Sequence, residues 1–274
     1  MALAQFPFES SNQLAPGVPP CLMGLYLCPS FSIPSLSNLC HMLLFVLMAK
    51  LLVFMLMLAS CCAKVSVLVV CVDLSGKVLV FPRETSTDHV KLMTPKTSFN
   101  AVTVCFRFLT DLTRNYVLFS LATPAVKNDF VIFKANSDVM RVHVRNGGTD
   151  FLSLSFPPNF WHTLCSTWNS ANGISQLWVD GKPTIKRFIH SGQPISGIPI
   201  TILGQEQDTY GGGFDASQSF IGMISRLHMW DYVLSPSEIR LYEEESNFTP
   251  GNVFNWRALD FEIIGNILVD NEVL

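Results

Sequence analysis

The chain has 274 residues, a net charge of −3, and 49% hydrophobic against 14% charged residues, where soluble domains usually carry ~25% charged residues. That composition, with a mean hydropathy of +0.35, excludes global disorder. It also lacks the basic field that sequence-specific nucleic-acid binding requires, while the length allows one large or two small domains.

The averages join two unlike pieces. Residues 1–72 hold six of the eight cysteines: Cys21, Cys28, Cys40, Cys61, Cys62 and Cys71. Residues 1–47, rich in Pro, Ser, Leu and Cys, read as an upstream extension, disordered or absent from the mature protein, and residues 1–40 show no helix or strand period. From Met48 the chain has a positive residue (Lys50), an apolar run (Leu51–Leu58, LLVFMLML) and a small-residue region, Ala59-Ser60-Cys61-Cys62-Ala63. Residues 48–72 therefore read as a secretory signal. The competing reading is a membrane anchor through 42–72, a stretch whose only charges are Lys50 and Lys64 and whose length meets the ~20 residues of a span. A third is an apolar stretch buried in the fold. The first two send the remainder to an oxidising compartment. The clustered cysteines contain no CxxC pair and no histidine at zinc-finger distance, which argues against a metal site there.

Residues 73–274 are an ordinary polar and apolar mixture, enough for one sizeable core. Short apolar or alternating runs recur at 77–81, 101–108, 116–121, 130–134, 139–144, 151–156, 176–179, 198–203, 220–230 and 261–264. Turn residues separate them: Asn146-Gly147-Gly148, Pro157-Pro158-Asn159, Asn172-Gly173, Asp180-Gly181 and Gly211-Gly212-Gly213. This pattern predicts an all-β sandwich or barrel. Cys105 and Cys165 are the only thiols of this piece. In a secreted chain they are expected to pair, stabilising by roughly 2–4 kcal/mol; the alternative is two buried free thiols.

Glu206-Gln207-Asp208 places two carboxylates one residue apart with a carbonyl between them. In extended chain, alternate side chains share a face, so Glu206 and Asp208 can meet one ion while Gln207 adds a carbonyl oxygen. Asp215 and Gln218 follow with another carboxylate and an amide, and Gly211–Gly213 lets the loop double back. Such a set of hard oxygens suits calcium; by residues alone an ordinary acidic surface loop is the favoured reading. Glu206 and Asp208 also resemble a glycosidase acid pair, but the extra oxygens suit a cation better. No nucleophile elbow, phosphate loop or HExxH motif occurs, so no enzyme is expected. Ser235, Pro236 and Glu238 predict a capped helix of two to three turns. Asn247-Phe248-Thr249 is a glycosylation sequon with Pro250 behind it.

Several blocks carry a more specific likeness: Val80–Glu84 (VFPRE), Cys165–Ser170 (CSTWNS), Leu177–Pro183 (LWVDGKP), Ile202–Asp208 (ILGQEQD), Ser217–Phe220 (SQSF), Met229–Asp231 (MWD) and Asn255–Leu259 (NWRAL). In this order the region 73–274 resembles the short pentraxins. The resemblance implies a two-sheet antiparallel jelly-roll, lectin-like sandwich, a Cys105–Cys165 bridge and a ring that is usually a homopentamer. It implies a secreted innate-immunity protein holding two calcium ions per subunit on one face and binding phosphocholine, phosphoethanolamine or anionic carbohydrate. Near the helix, the opposite face would meet complement.

By the same resemblance Glu206, Gln207, Asp208, Asp215 and Gln218 become the favoured ligands, joined by Asn128 of an Asp-Asn pair. Here the aspartate of that pair is Lys127, which puts the first calcium site in doubt, with Asp129 as a stand-in. Phe133 would line a hollow for a choline methyl group and Asp150 would face the choline nitrogen. Asp180 matches a complement-contact position, whereas Tyr242 falls one residue short of the family tyrosine. His162 is one residue out of the family register, which turns it to a structural or exposed role.

Overall fold

The computed structural model describes residues 36–61, 71–136 and 138–272. The chain divides into two units, Met1–Ser66 and Val67–Leu274. The described part of the first is one helix, α1 (Leu36–Cys61), which runs without a break across Met48. Its large apolar side chains from Met42 to Phe54 are exposed. Residues 1–35 and 62–70, on which most of the extension and part of the cleavage-region readings fall, lie outside the described residues, as do the side chains of 55–61. Among the described residues no helix is long and apolar enough to cross a membrane.

The second unit is built of strands β1 (Lys77–Phe81), β2 (His89–Leu92), β3 (Ser98–Phe99), β4 (Ala101–Leu109), β5 (Tyr116–Thr123) and β6 (Val126–Asn136). They are followed by β7 (Val139–Val144), β8 (Gly147–Phe151), β9 (His162–Asn169), β10 (Ile174–Val179), β11 (Lys182–Pro183) and β12 (Arg187–Phe188). Then come β13 (Ile195–Ser196), β14 (Ile200–Leu203), β15 (Gly222–Trp230), helix α2 (Pro236–Glu243), β16 (Phe254–Asn255), β17 (Phe261–Ile264) and β18 (Leu268–Asn271). Two large antiparallel sheets result, ordered β11-β10-β9-β4-β15-β1-β18, with β12 on β10 and β16 on β15, and β17-β2-β14-β5-β6-β7-β8, beside a small β13-β3 pair. The all-β sandwich read from the sequence is thus the observed architecture.

Period-two alternation decides which side chains fill the space between the sheets. In β4, Val102, Val104, Phe106 and Phe108 point into the main core, where they meet Phe130 and Ile132 of β6 and Met140, Val142 and Val144 of β7. Cys105 points the other way. It opposes Cys165 across the β4–β9 ladder and is bonded to it, which removes the free-thiol reading. The bridge lies in a second, smaller core with Trp178, Trp230, Leu234, Ile239 and Tyr242, so α2 covers the outer face of the first sheet. The predicted capping box is present: Ser235 Oγ accepts the Glu238 N–H, Glu238 Oε2 accepts the Ser235 N–H at 2.7 Å, and Pro236 opens the helix.

Two local expectations shift. The turn read at Asn146-Gly147-Gly148 sits one residue earlier. Arg145 and Asn146 take the left-handed region, with φ of 52° and 61°, as a two-residue hairpin requires, and the glycines already belong to β8. The run 151–156 leaves the ladder after Phe151 because Ser153 adopts φ 61°; its alternation packs Leu154 and Phe156 against the core from a loop.

Candidate metal centre

The 205–208 segment follows β14 directly. Gly204, with φ 91°, lies so close to Phe81 that an added Cβ would stand 2.4 Å from the ring. This close approach fixes where the next four residues emerge. Gln205 and Gln207 turn inward. The Gln205 amide donates to the carbonyls of Thr85 and Asp88 at 2.7 and 3.0 Å. The Gln207 amide donates to the carbonyls of Ser120 and Ile200 at 2.9 and 3.0 Å, and its Oε1 accepts the Gly211 N–H at 3.0 Å. Both amide side chains thereby anchor the loop, so that Gln207 can offer an ion only its main-chain carbonyl, while Gln205 Oε1 is buried without a partner among the described residues. Thr209 and Gly212 exchange N–H···O bonds of 3.0 and 3.1 Å, so the loop doubles back as its glycines suggested.

Glu206 and Asp208 face outward into a hollow of ≈ 200 Å³ shared with Gln218, Val131, Phe133, Arg141 and His143. The floor is the outer face of the second sheet, where Val131 and Phe133 alternate with the core residues Phe130 and Ile132. Glu206 is 9% exposed and makes no side-chain hydrogen bond among the described residues. Burial, reinforced by the Asp208 charge and opposed by Lys127, pushes its carboxyl up to about 7. Asp208 accepts a 3.0 Å hydrogen bond from Lys127 Nζ across an exposed ion pair. That bond and charge hold the Lys127 ammonium above its usual range.

The remaining expected ligands are less closely gathered. Gln218 lines the hollow, but Asp215 caps the 3-10 turn Ala216–Gln218, accepting the Ser217 N–H at 2.9 Å, and does not line the hollow. Asn128 Oδ1 is buried without a hydrogen-bond partner, while its N–H donates to Asn146 Oδ1 at 3.2 Å. Among the described residues no group of three His, Cys, Asp or Glu is gathered closely enough to hold a metal. The donor set nevertheless fits a hard cation in kind: a desolvated carboxylate, a second carboxylate, an amide of Gln218 and an unpartnered amide oxygen on Asn128. Asp129 does not stand in. Its buried carboxylate takes the Thr123 hydroxyl at 2.6 Å and Arg145 at 3.3 Å, a structural pair committed within the fold.

Of the ligand-pocket residues, Phe133 lines the hollow and Asp150 does not. Register explains why: Phe133 opposes Arg141, and Arg141 opposes Asp150. The Arg141 guanidinium grips Asp150 with two hydrogen bonds, Nε to Oδ1 at 2.6 Å and Nη2 to Oδ2 at 2.8 Å, which holds the Asp150 carboxyl below its usual range. Arg141 and His143 were not among the residues singled out from the sequence. Alternation from Phe133 through the β6–β7 hairpin was the available signal, but no motif marks them.

On the other side of the sandwich, His162 is buried between Asp180 Oδ2 at 3.0 Å and the Pro157 carbonyl at 3.1 Å. Burial disfavours its charge, but the Asp180 and Pro157 hydrogen bonds outweigh that and raise its pKa. Asp180 also accepts the Thr163 N–H at 2.8 Å, so both have structural duties. Asn247 is exposed beyond α2.

A profile of the Pentaxin family matches residues 77–271. The chain belongs to this family. It is 40% identical over 202 residues to serum amyloid P-component of Sus scrofa, covering 73% of this chain and 90% of that protein. It is 41% identical over 198 residues to C-reactive protein of Sus scrofa, covering 72% and 88%. The native heptameric SAP-like pentraxin of Limulus polyphemus superposes with a TM-score of 0.68 at 23% identity, over 73% of this chain and 97% of that one, which places the sandwich in the pentraxin jelly-roll fold. Pentraxins of the serum amyloid P and C-reactive protein type are non-enzymatic recognition proteins.

Proposed function

We propose that this pentraxin is an extracellular pattern-recognition protein of innate immunity whose recognition face is the hollow around Glu206 and Asp208. The observation that carries the reading is the outward pairing of these two carboxylates, one desolvated and without a hydrogen-bond donor, on a loop locked from beneath by Gln205 and Gln207. Glu206, Asp208, the Gln207 carbonyl, Gln218, Asp215 and Asn128 are the residues that would hold calcium. Bound there, the ion supplies the positive contact for a phosphate or carboxylate oxygen of the target. Phosphocholine, phosphoethanolamine and anionic glycans all offer such an oxygen. The Arg141–Asp150 pair favours the glycans, because the carboxylate expected to meet a choline nitrogen already has its cation. An oligomeric ring is the assembly that the family supports, with five subunits as the expectation, and complement is the partner proposed for the α2 face. Secretion through 48–72 is the favoured route; an anchor through 42–72 is the second reading.

The ion pair between Lys127 and Asp208 supports a specific rival, a family member that binds anions without calcium. Calorimetric titration of calcium into the full chain and into Lys127→Asp, with adhesion to sialylated and phosphocholine beads in parallel, tests the proposal. Calcium heat from the native chain and adhesion abolished by chelator are expected. Adhesion that persists in chelator, with heat appearing only in Lys127→Asp, overturns calcium dependence.

A further inference from the structure

A second hollow, of ≈ 290 Å³, opens on the outer face of the first sheet, opposite the 206–208 side, and is lined by Arg226, His228, Tyr242, Phe248, Trp256 and Arg257 among others. A bulge in β15 shapes it. The β4–β15 register shifts between Ser225 and His228, and Arg226 takes φ 55°, a conformation that strains a non-glycine residue and, at a bulge, re-aims side chains. Tyr242 Oη locks the bulge by donating to the Arg226 carbonyl at 2.8 Å. Tyr242 and Phe248 pack edge to face as an apolar wall, and the Arg257 guanidinium lies over the Phe248 ring.

The polar groups are unbalanced towards donors. The two acids at the rim are already committed: Glu272 to Arg107 at 3.0 Å and to Arg226 at 3.4 Å, and Glu245 to Arg226. Trp256 is 2% exposed, and its Nε1–H is buried with no hydrogen-bond partner. His228 is also 2% exposed, and its Nδ1 accepts the Gly251 N–H at 3.2 Å. The proton of the neutral ring is therefore on Nε2, which has no acceptor among the described residues. Arg257 makes no ion pair among them either. A buried indole N–H, an imidazole N–H and a free guanidinium around an aromatic wall call for a ligand that only accepts hydrogen bonds, carries one negative charge and has a flat apolar body. We propose that this hollow binds small organic carboxylates.

The test uses the full chain labelled with ¹⁵N-tryptophan and titrated with phenylacetate in EDTA, so that cation-mediated binding at the 206–208 loop does not contribute. Trp256→Phe identifies the Trp256 indole resonance. That resonance is expected to move downfield and saturate with phenylacetate and to stay in place with the neutral phenylacetamide. Arg257→Met is expected to weaken binding about tenfold or more, the effect of a lost charged hydrogen bond, with the melting temperature unchanged. Loss of the indole donor in Trp256→Phe, read by calorimetry, is expected to weaken it several-fold. The assignment fails if the Trp256 resonance does not move at the solubility limit of phenylacetate, if phenylacetamide moves it equally, or if Arg257→Met binds as tightly as the parent.

Discussion

Replacing Glu206 by glutamine separates stability from recognition at the candidate metal centre. In the metal-free protein, burial and Asp208 raise this carboxyl from 4.5 to about 7. A folded-state pKa above the unfolded one means that the folded protein holds the proton more tightly. The carboxyl's favourable contribution is then complete below about pH 4.5 and is lost as pH rises through about 7. The full displacement, 2.5 pH units, corresponds to at most ~3.4 kcal/mol. The hollow is open to solvent, so about 1–2 kcal/mol is the expected net cost of the ionised side chain. Glu206→Gln keeps the shape and removes the charge. Its chelated form should melt about 3–6 °C above the parent at pH 8 and at the same temperature near pH 4. Calcium should raise the parent's melting temperature and leave the variant's unchanged, because binding only the folded state stabilises by mass action. Thermal denaturation at both pH values, with and without calcium, is the measurement. Equal melting of parent and variant at pH 8 in chelator would refute the claim that the fold holds this carboxylate at a cost a cation relieves.

Other outcomes follow from the same geometry. Lys127→Asp removes the ammonium bonded to Asp208 and adds a carboxylate beside Asn128, so calcium affinity measured by calorimetry should rise at least tenfold; an unchanged affinity would show that Lys127 does not compete for the loop. Asp129→Ala leaves the partly exposed Arg145 with Gln193 as its remaining side-chain partner among the described residues and should cost ~1–3 kcal/mol in urea unfolding, whereas an unchanged stability would return Asp129 to the list of free ligands. Gly204→Ala forces a Cβ against Phe81 at a positive φ and should destabilise by ~2–4 kcal/mol, weakening calcium binding with it; a fully stable variant would mean that the loop is not set by this contact. For His162, whose folded pKa is raised above 6.5, the stabilisation from Asp180 is complete below pH 6.5 and fades as pH rises through the folded value. The stability gap between parent and Asp180→Asn should therefore narrow from pH 6 to pH 9, and a gap independent of pH would sink the charged-histidine assignment.

Most of the sandwich was legible because its signals are local. Alternation in 101–108 and 139–144, the capping box at Ser235 and the Asp180-Gly181 turn each depend on a few neighbouring residues, and the structure keeps them. Strand β18 was missed because its four side chains are all exposed and carry no alternation to separate them from a loop. The 206–208 loop was legible in its outline: alternation turned Glu206 and Asp208 to one side. What the sequence did not disclose was who stands across from them. Asp150 looked available until β-sheet register brought Arg141 between it and Phe133, and Asp129 looked like a spare ligand until Arg145 and Thr123 were folded onto it. Pairings of this kind are set by strand register over ten or more residues, which motif spacing does not encode.

The two outer faces of the sandwich obey one electrostatic rule with opposite results. On each, arginine or lysine side chains from neighbouring strands are matched to acids: Lys127 to Asp208 and Arg141 to Asp150 on one, Arg107 and Arg226 to Glu272 on the other. Other groups are unmatched among the described residues. At the second sheet they include Glu206, desolvated and without a donor, His143 Nδ1 in the same hollow, and Asn128 Oδ1; at the first they are donors, Trp256 Nε1, His228 Nε2 and the exposed Arg257. A buried group without a partner costs its desolvation penalty. That cost falls on Glu206, whose carboxyl burial raises, and on the Trp256 Nε1–H, whereas Arg257 is exposed. The two faces suit ligands of opposite character, a cation on one and a carboxylate on the other. The two sites share no residue and need opposite charges. Chelation should therefore abolish adhesion through the first and leave phenylacetate binding at the second intact, and any common loss of both would show that the faces are coupled through the β-sandwich between them.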